Sequence, residues 1–193
     1  TYGMLIGRVD MDYENNEPTI SLINPFGAYQ QSVVIGNNAQ GNNNLATAVG
    51  AGAIAGAARS NAFGQGSSGA GAANAQGSGS VSIGAAYSSG ADSFAAAVAN
   101  NTSSYGATGT SAVAIGRTTK ASGLGSVAIG GYGVTTATGD GAVALGGGVN
   151  ITGAVASARN SVAIGDGASV PTTTGKYNFS ADYPFAAGTA QYG

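Results

Sequence analysis

Asp10, Asp12 and Glu14 form the densest acidic group in the chain, and their D-x-D-x-E spacing is that of the opening of a calcium loop. Such a loop needs glycine at its sixth position and a bidentate glutamate at its twelfth; counted from Asp10, those positions hold Asn15 and Ser21. The three carboxylates are therefore read as the solvated face of a strand, and no metal site is expected. Gly64-Gln65-Gly66-Ser67-Ser68-Gly69 matches G-x-G-x-x-G, with Asp92 about where a ribose-binding acid would sit. A dinucleotide site also needs a helix opening there, and the AGAANAQG that follows has no helical periodicity. No cofactor is expected. Catalysis needs a base, an activated nucleophile or a paired acid. The chain has no histidine, no cysteine and no G-x-S-x-G elbow, so it is not read as an enzyme. Asp140-Gly141 and Asp166-Gly167 are read as turns. Asn100, Asn101, Asn150 and Asn178 head N-x-S/T triplets, coincidental in a chain this rich in those residues.

What the sequence offers instead of chemistry is a repeat. Val113-Ala114-Ile115-Gly116 returns as Val127-Ala128-Ile129-Gly130, 14 residues later. Each copy alternates larger and smaller apolar residues and stops at a glycine, the pattern of a five-residue strand with one buried face entering a corner that needs positive φ. The corner glycines are Gly36, Gly50, Gly64, Gly84, Gly116, Gly130, Gly146 and Gly165, and the intervals between them are 14, 14, 20, 32, 14, 16 and 19 residues. A degenerate copy, Ser93 to Ala97, lies in the longest interval. A 14-residue unit carrying insertions is a solenoid signature. Each unit is expected to run as strand, corner, poorer strand, corner, giving about nine turns roughly 4.8 Å apart. The insertions Gln65–Gly79, Val98–Thr110, Gly131–Asp140 and Gly147–Asn160 are expected to loop outward, since a narrow coil has no interior room for them.

Composition agrees. The 193 residues include 35 glycines and are 43% apolar, with 7% charged and a net charge of −2. That excludes the charged, weakly apolar character of disordered chains and the basic patches of nucleic-acid binders. Glycine interrupts every apolar stretch, so no transmembrane helix and no membrane insertion are expected. The apolar fraction is dominated by alanine, with short Val and Ile strands and no tryptophan, which fills a narrow coil but not a broad core. A single coil would leave a seam of Val and Ile in water, so association along that seam is expected.

Three segments follow. Residues 1–30 hold five of the 14 charged residues and two of the four prolines, and read as a strand pair, Met4–Tyr13 and Thr19–Ile23, leading into the coil. Residues 31–170 are the repeat body. Residues 171–193, with Tyr177, Phe179, Tyr183 and Phe185, read as an aromatic cap or the junction to a further module. The chain begins without methionine or signal peptide and is read as part of something longer.

S-V-A-I-G at 14-residue spacing resembles the head repeats of trimeric autotransporter adhesins over roughly residues 31 to 170, most specifically at Gly116, Gly130, Gly146 and Gly165. The resemblance implies an all-β, left-handed parallel β-roll assembled as a homotrimer. The final GKYNFSADYPFAAGTAQYG is similar to the junction after such repeats in phage tail-fibre and tail-spike proteins. On that segment the expected function is host attachment by a phage tail fibre in the virion tail, partnered by other tail proteins and a glycan or protein receptor on the host cell. The alternative is the head of a bacterial trimeric autotransporter adhesin at the cell surface. A third reading is an ice-binding or matrix β-solenoid; it needs threonine in one register, which Thr118, Thr119, Thr135, Thr136 and Thr138 are not expected to keep.

Tyr87, Tyr105 and Tyr132 lie in or beside the insertions, where a flat apolar ring with a polar tip suits sugar or protein recognition. With Arg117 and Lys120 they are the candidate receptor contacts. The competing reading is that each packs a loop onto a neighbouring turn.

Overall fold

The computed structural model describes residues 32–66, 71–96, 104–147, 152–172 and 178–179. Fourteen residues suffice for two short strands and two corners, and the chain coils accordingly into two parallel sheets. The first stacks β1 (Val33–Ile35), β3 (Thr47–Val49), β5 (Asn61–Phe63), β7 (Val81–Ile83), β9 (Phe94–Ala96), β11 (Val113–Ile115), β13 (Val127–Ile129), β15 (Val143–Leu145), β17 (Val162–Ile164) and β19 (Asn178–Phe179) in that order. The second stacks β2 (Gln40–Gly41), β4 (Ile54–Ala55), β6 (Asn74–Ala75), β8 (Tyr87–Ser88), β10 (Gly106–Ala107), β12 (Lys120–Ala121), β14 (Val134–Ala137), β16 (Thr152–Ala156) and β18 (Ser169–Val170). Among the described residues there is no helix. Nine turns carry a strand in each sheet, as the repeat spacing predicts, and the degenerate copy supplies β9.

The first-sheet strands are shorter than five residues because the coil is narrow. In the three-residue strands of the first sheet only the middle residue points inward, and it is almost always alanine: Ala48, Ala62, Ala95, Ala114, Ala128, Ala144 and Ala163 are wholly buried. Ala55, Ala75, Ala107, Ala121, Ala137 and Ala156 answer them from the second sheet. Larger Val and Ile therefore take the outward positions. The backbone is satisfied turn to turn, as where Thr47 N–H donates to Ser60 O at 2.9 Å and Val113 N–H to Ser126 O at 2.8 Å. At Ser82 and Ser88, where serine replaces alanine, the interior compensates: the two hydroxyls lie 2.7 Å apart, and Ser82 Oγ donates to Asn74 O at 2.9 Å.

The corners correct one expectation. Gly36, Gly50, Gly64, Gly84, Gly116 and Gly165 have positive φ, but Gly130 and Gly146 do not. A Cβ on Gly130 would instead collide with the Thr135 side chain, whose hydroxyl donates to Gly146 O. Close approach is the reason for glycine there. The interior has a second such column, Gly77, Gly90, Gly109, Gly123 and Gly139, where a Cβ would sit within 3.0 Å of the backbone of the next turn.

The insertions are also drawn too generously by the repeat alone. Gln65–Gly79 contains β6, Val98–Thr110 contains β10, Gly131–Asp140 contains β14 and Gly147–Asn160 contains β16. The poorer second strand falls in the same interval as the surplus residues, so spacing between glycines cannot separate them. Around β14 the surplus is only two residues, taken up in the corner around Gly131 to Gly133. The expected strand pair in 1–30, the acidic group Asp10, Asp12 and Glu14, Asn100, Asn101, Asn150 and residues 180–193 lie outside the described residues. Asn178 and Phe179 extend the first sheet beside β17.

Candidate functional site

The two outer faces of the coil differ in kind. On the first sheet, the residue before and the residue after each buried centre form two columns along the stack. Val33, Val81, Val113, Val127, Val143 and Val162 dominate the starting column, and Ile35, Ile83, Ile115, Ile129, Leu145 and Ile164 the ending one. Val33, Ile35, Phe63, Ile83, Ile129 and Ile164 are each 37–45% exposed in the single chain. This is the seam of Val and Ile that alanine-filled coils must leave uncovered. No described strand places a charged residue in either column.

The outer face of the second sheet is mixed. Tyr87, Gly106, Lys120 and Thr136 occupy one register column of β8, β10, β12 and β14. Beside it runs Ser89, Thr108, Ser122, Thr138 and Ser157, a column of hydroxyl residues in successive turns whose N–H groups bond to the next turn at 2.8–2.9 Å. Sequence reasoning missed this column; its trace is the recurring Ala-Thr-Gly and Ala-Ser-Gly at 107–109, 121–123 and 137–139. The threonines also keep more register than expected. Lys120 pairs with Thr136, which sets Thr119 level with Thr135, and both are buried. They close corners, Thr119 Oγ1 donating to Gly116 O at 3.0 Å, and they offer no surface for an ice plane.

Arg117 and Tyr132 come together on adjacent turns. The guanidinium carbon lies 4.7 Å from the ring centroid, and the ring is 64% exposed. Thr118 holds the corner beneath with φ of 55°, its hydroxyl donating to Tyr132 O at 3.2 Å. An exposed pair of this kind is worth about 0.5–1 kcal/mol, so it orients the side chains more than it stabilises the fold. The result is a flat ring beside a fork of N–H donors, suited to a sugar ring or a carboxylate. Lys120 stands on β12, one corner from Arg117, and Tyr87 lies in the same column two strands away. Tyr105 is different: it packs against the alanine core in the register that holds Thr119 in the next turn, so packing accounts for it.

Among the described residues no group of three or more His, Cys, Asp or Glu comes together. No helix in them is long and apolar enough to cross a membrane. No curated protein matches the chain. Residues 107–132, 135–148 and 152–168, less than a third of the chain, match the YadA head domain repeat in two copies. The stacked SVAIG turns of this coil are thus similar to the head repeats of trimeric autotransporter adhesins.

Proposed function

We propose that this chain is part of the head of a bacterial trimeric adhesin: a rigid β-roll that associates through the first sheet and presents the second sheet and its corners to a host surface. The observation that supports it most is the uncharged double column of Val and Ile, exposed in one chain, on repeats similar to those of an adhesin head. The match favours this reading over the phage tail fibre expected from the terminal segment. It falls on the repeats, at residues 107–132, 135–148 and 152–168. Residues 31–170 are the repeat body in this reading, with 1–30 leading in and 171–193 leading out.

Tyr132, Arg117, Lys120 and Tyr87 are the proposed contacts with a surface glycan or protein. Three copies of a weak site on one rigid shaft gain avidity that none has alone. Light scattering coupled to size exclusion tests the assembly: an elongated particle of about three times 18.3 kDa is expected, and a monomer at micromolar concentration refutes it. Binding of that particle to cells and glycan arrays tests the contacts.

A further inference from the structure

From β7 to β17 the outward columns of the first sheet are uniform with one exception that falls twice in the same turn; before them, β3 carries Thr47 and Val49 and β5 carries Asn61 and Phe63. Phe94 is the one large ring in the starting column, and Ala96, two residues on, is the one alanine in the ending column. Every other turn from β7 to β17 sets Val at the start against Ile or Leu at the end. In β5 the ring stands at the end, as Phe63, with Asn61 at the start turning its amide away to Arg59 O at 3.0 Å.

We propose that copies of this chain meet along the first sheet with their turns level, Phe94 of one copy seated against Ala96 of the next, so that this turn sets the register of the assembly. The proposal rests on the trimeric reading above. The strands run across the stacking direction and all run the same way. Rotation about an axis along the stack keeps each turn at its own height and keeps the strands circulating in one sense. The starting column of one copy must then face the ending column of its neighbour, a heterologous contact that closes after three steps. Under that geometry Val faces Ile or Leu in the ordinary turns, and in one turn a ring faces the only gap. A slip by one turn would drive Phe94 against Ile83 or Ile115 and leave Ala96 facing Val, an overfilled layer beside an empty one. Uniform Val and Ile columns alone would tolerate such a slip; the Phe94 and Ala96 turn does not.

The chain has no cysteine, so thiols can be placed at will. Chains carrying F94C and chains carrying A96C are co-produced at full length with distinguishable tags. Their mass is measured by light scattering, and they are treated with a short bis-alkylating thiol reagent. The expected result is a trimer in which F94C chains couple to A96C chains, while F94C with I115C, and F94C alone, couple little. A trimer in which F94C couples to itself or to I115C overturns the proposal and leaves the trimer standing. A monomer overturns both. A second series guards against loss of assembly by the thiols: A96I alone should weaken association about tenfold or more, and F94V/A96I, which restores the pattern of the other turns, should recover it. Failure of the double variant to recover also overturns the level pairing.

Discussion

Replacing Ala128 by valine adds two methyl-sized groups where the coil has no room. Ala128 is wholly buried in the centre of β13, with Ala114 and Ala144 level with it in β11 and β15. Stacked strands sit about 4.8 Å apart, so the added carbons cannot move along the column without meeting those alanines. Across the coil they meet Ala121 and Ala137, also wholly buried. Overpacking of this kind costs about 1–3 kcal/mol. For a chain of this size each 1 kcal/mol lowers Tm by about 2–4 °C, so A128V should unfold about 2–12 °C below the parent. Circular dichroism at fixed protein concentration measures it, because association also raises the apparent Tm. Each turn touches only its neighbours, so hydrogen exchange should accelerate in β11, β13 and β15 and not in β3. The comparison is I129V, which trims the exposed neighbour and should alter association more than folding. An A128V protein with unchanged Tm and unchanged exchange would refute the claim that alanine is there because nothing larger fits.

Three further outcomes follow from the corners and the surface. Ser126 Oγ is buried without a hydrogen-bond partner, whereas Ser93 Oγ donates to Gly90 O at 2.7 Å. S126A should therefore be neutral or stabilising and S93A should cost about 0.5–1.5 kcal/mol, both read by thermal unfolding. Gly123 and Gly125 are two residues apart in one corner, yet G125A meets open space and only the left-handed backbone penalty of about 1–2 kcal/mol, while G123A forces the next turn away. G123A should be the worse by chemical denaturation, and equal midpoints would contradict the stacking account. R117A and Y132A should lower adhesion of the assembled particle to its target surface while shifting Tm by no more than about 2–4 °C.

The architecture was legible because its cause is local. Alternation of large and small apolar residues around a corner glycine repeats often enough to be counted, and β9, with its weak Ser93 to Ala97 copy, was found from spacing. The second sheet was legible only as an expectation of a poorer strand. Its two-residue strands are Gln-Gly, Ile-Ala, Asn-Ala, Tyr-Ser, Gly-Ala, Lys-Ala and Ser-Val at β2, β4, β6, β8, β10, β12 and β18, which share no outward residue type that a pattern can follow. The insertions were overdrawn for that reason. Among the candidate contacts, nothing in the one-dimensional order separates Tyr105 from Tyr132. One stands in the register of an interior threonine, the other on a corner widened by Gly131 to Gly133, and only turn-to-turn pairing assigns the two places.

The sequence by itself determined that the chain coils, how many turns it makes, and that Val and Ile must be left over, because a 14-residue period and an alanine-rich composition admit no wide core. Tertiary structure alone decided which residues stand level across turns. Irregular insertions shift the numbering between copies, so the second glycine column, the hydroxyl column, the Arg117–Tyr132 pair and the outward ring of Phe94 beside Ala96 emerge only when backbone hydrogen bonds set one turn on the next.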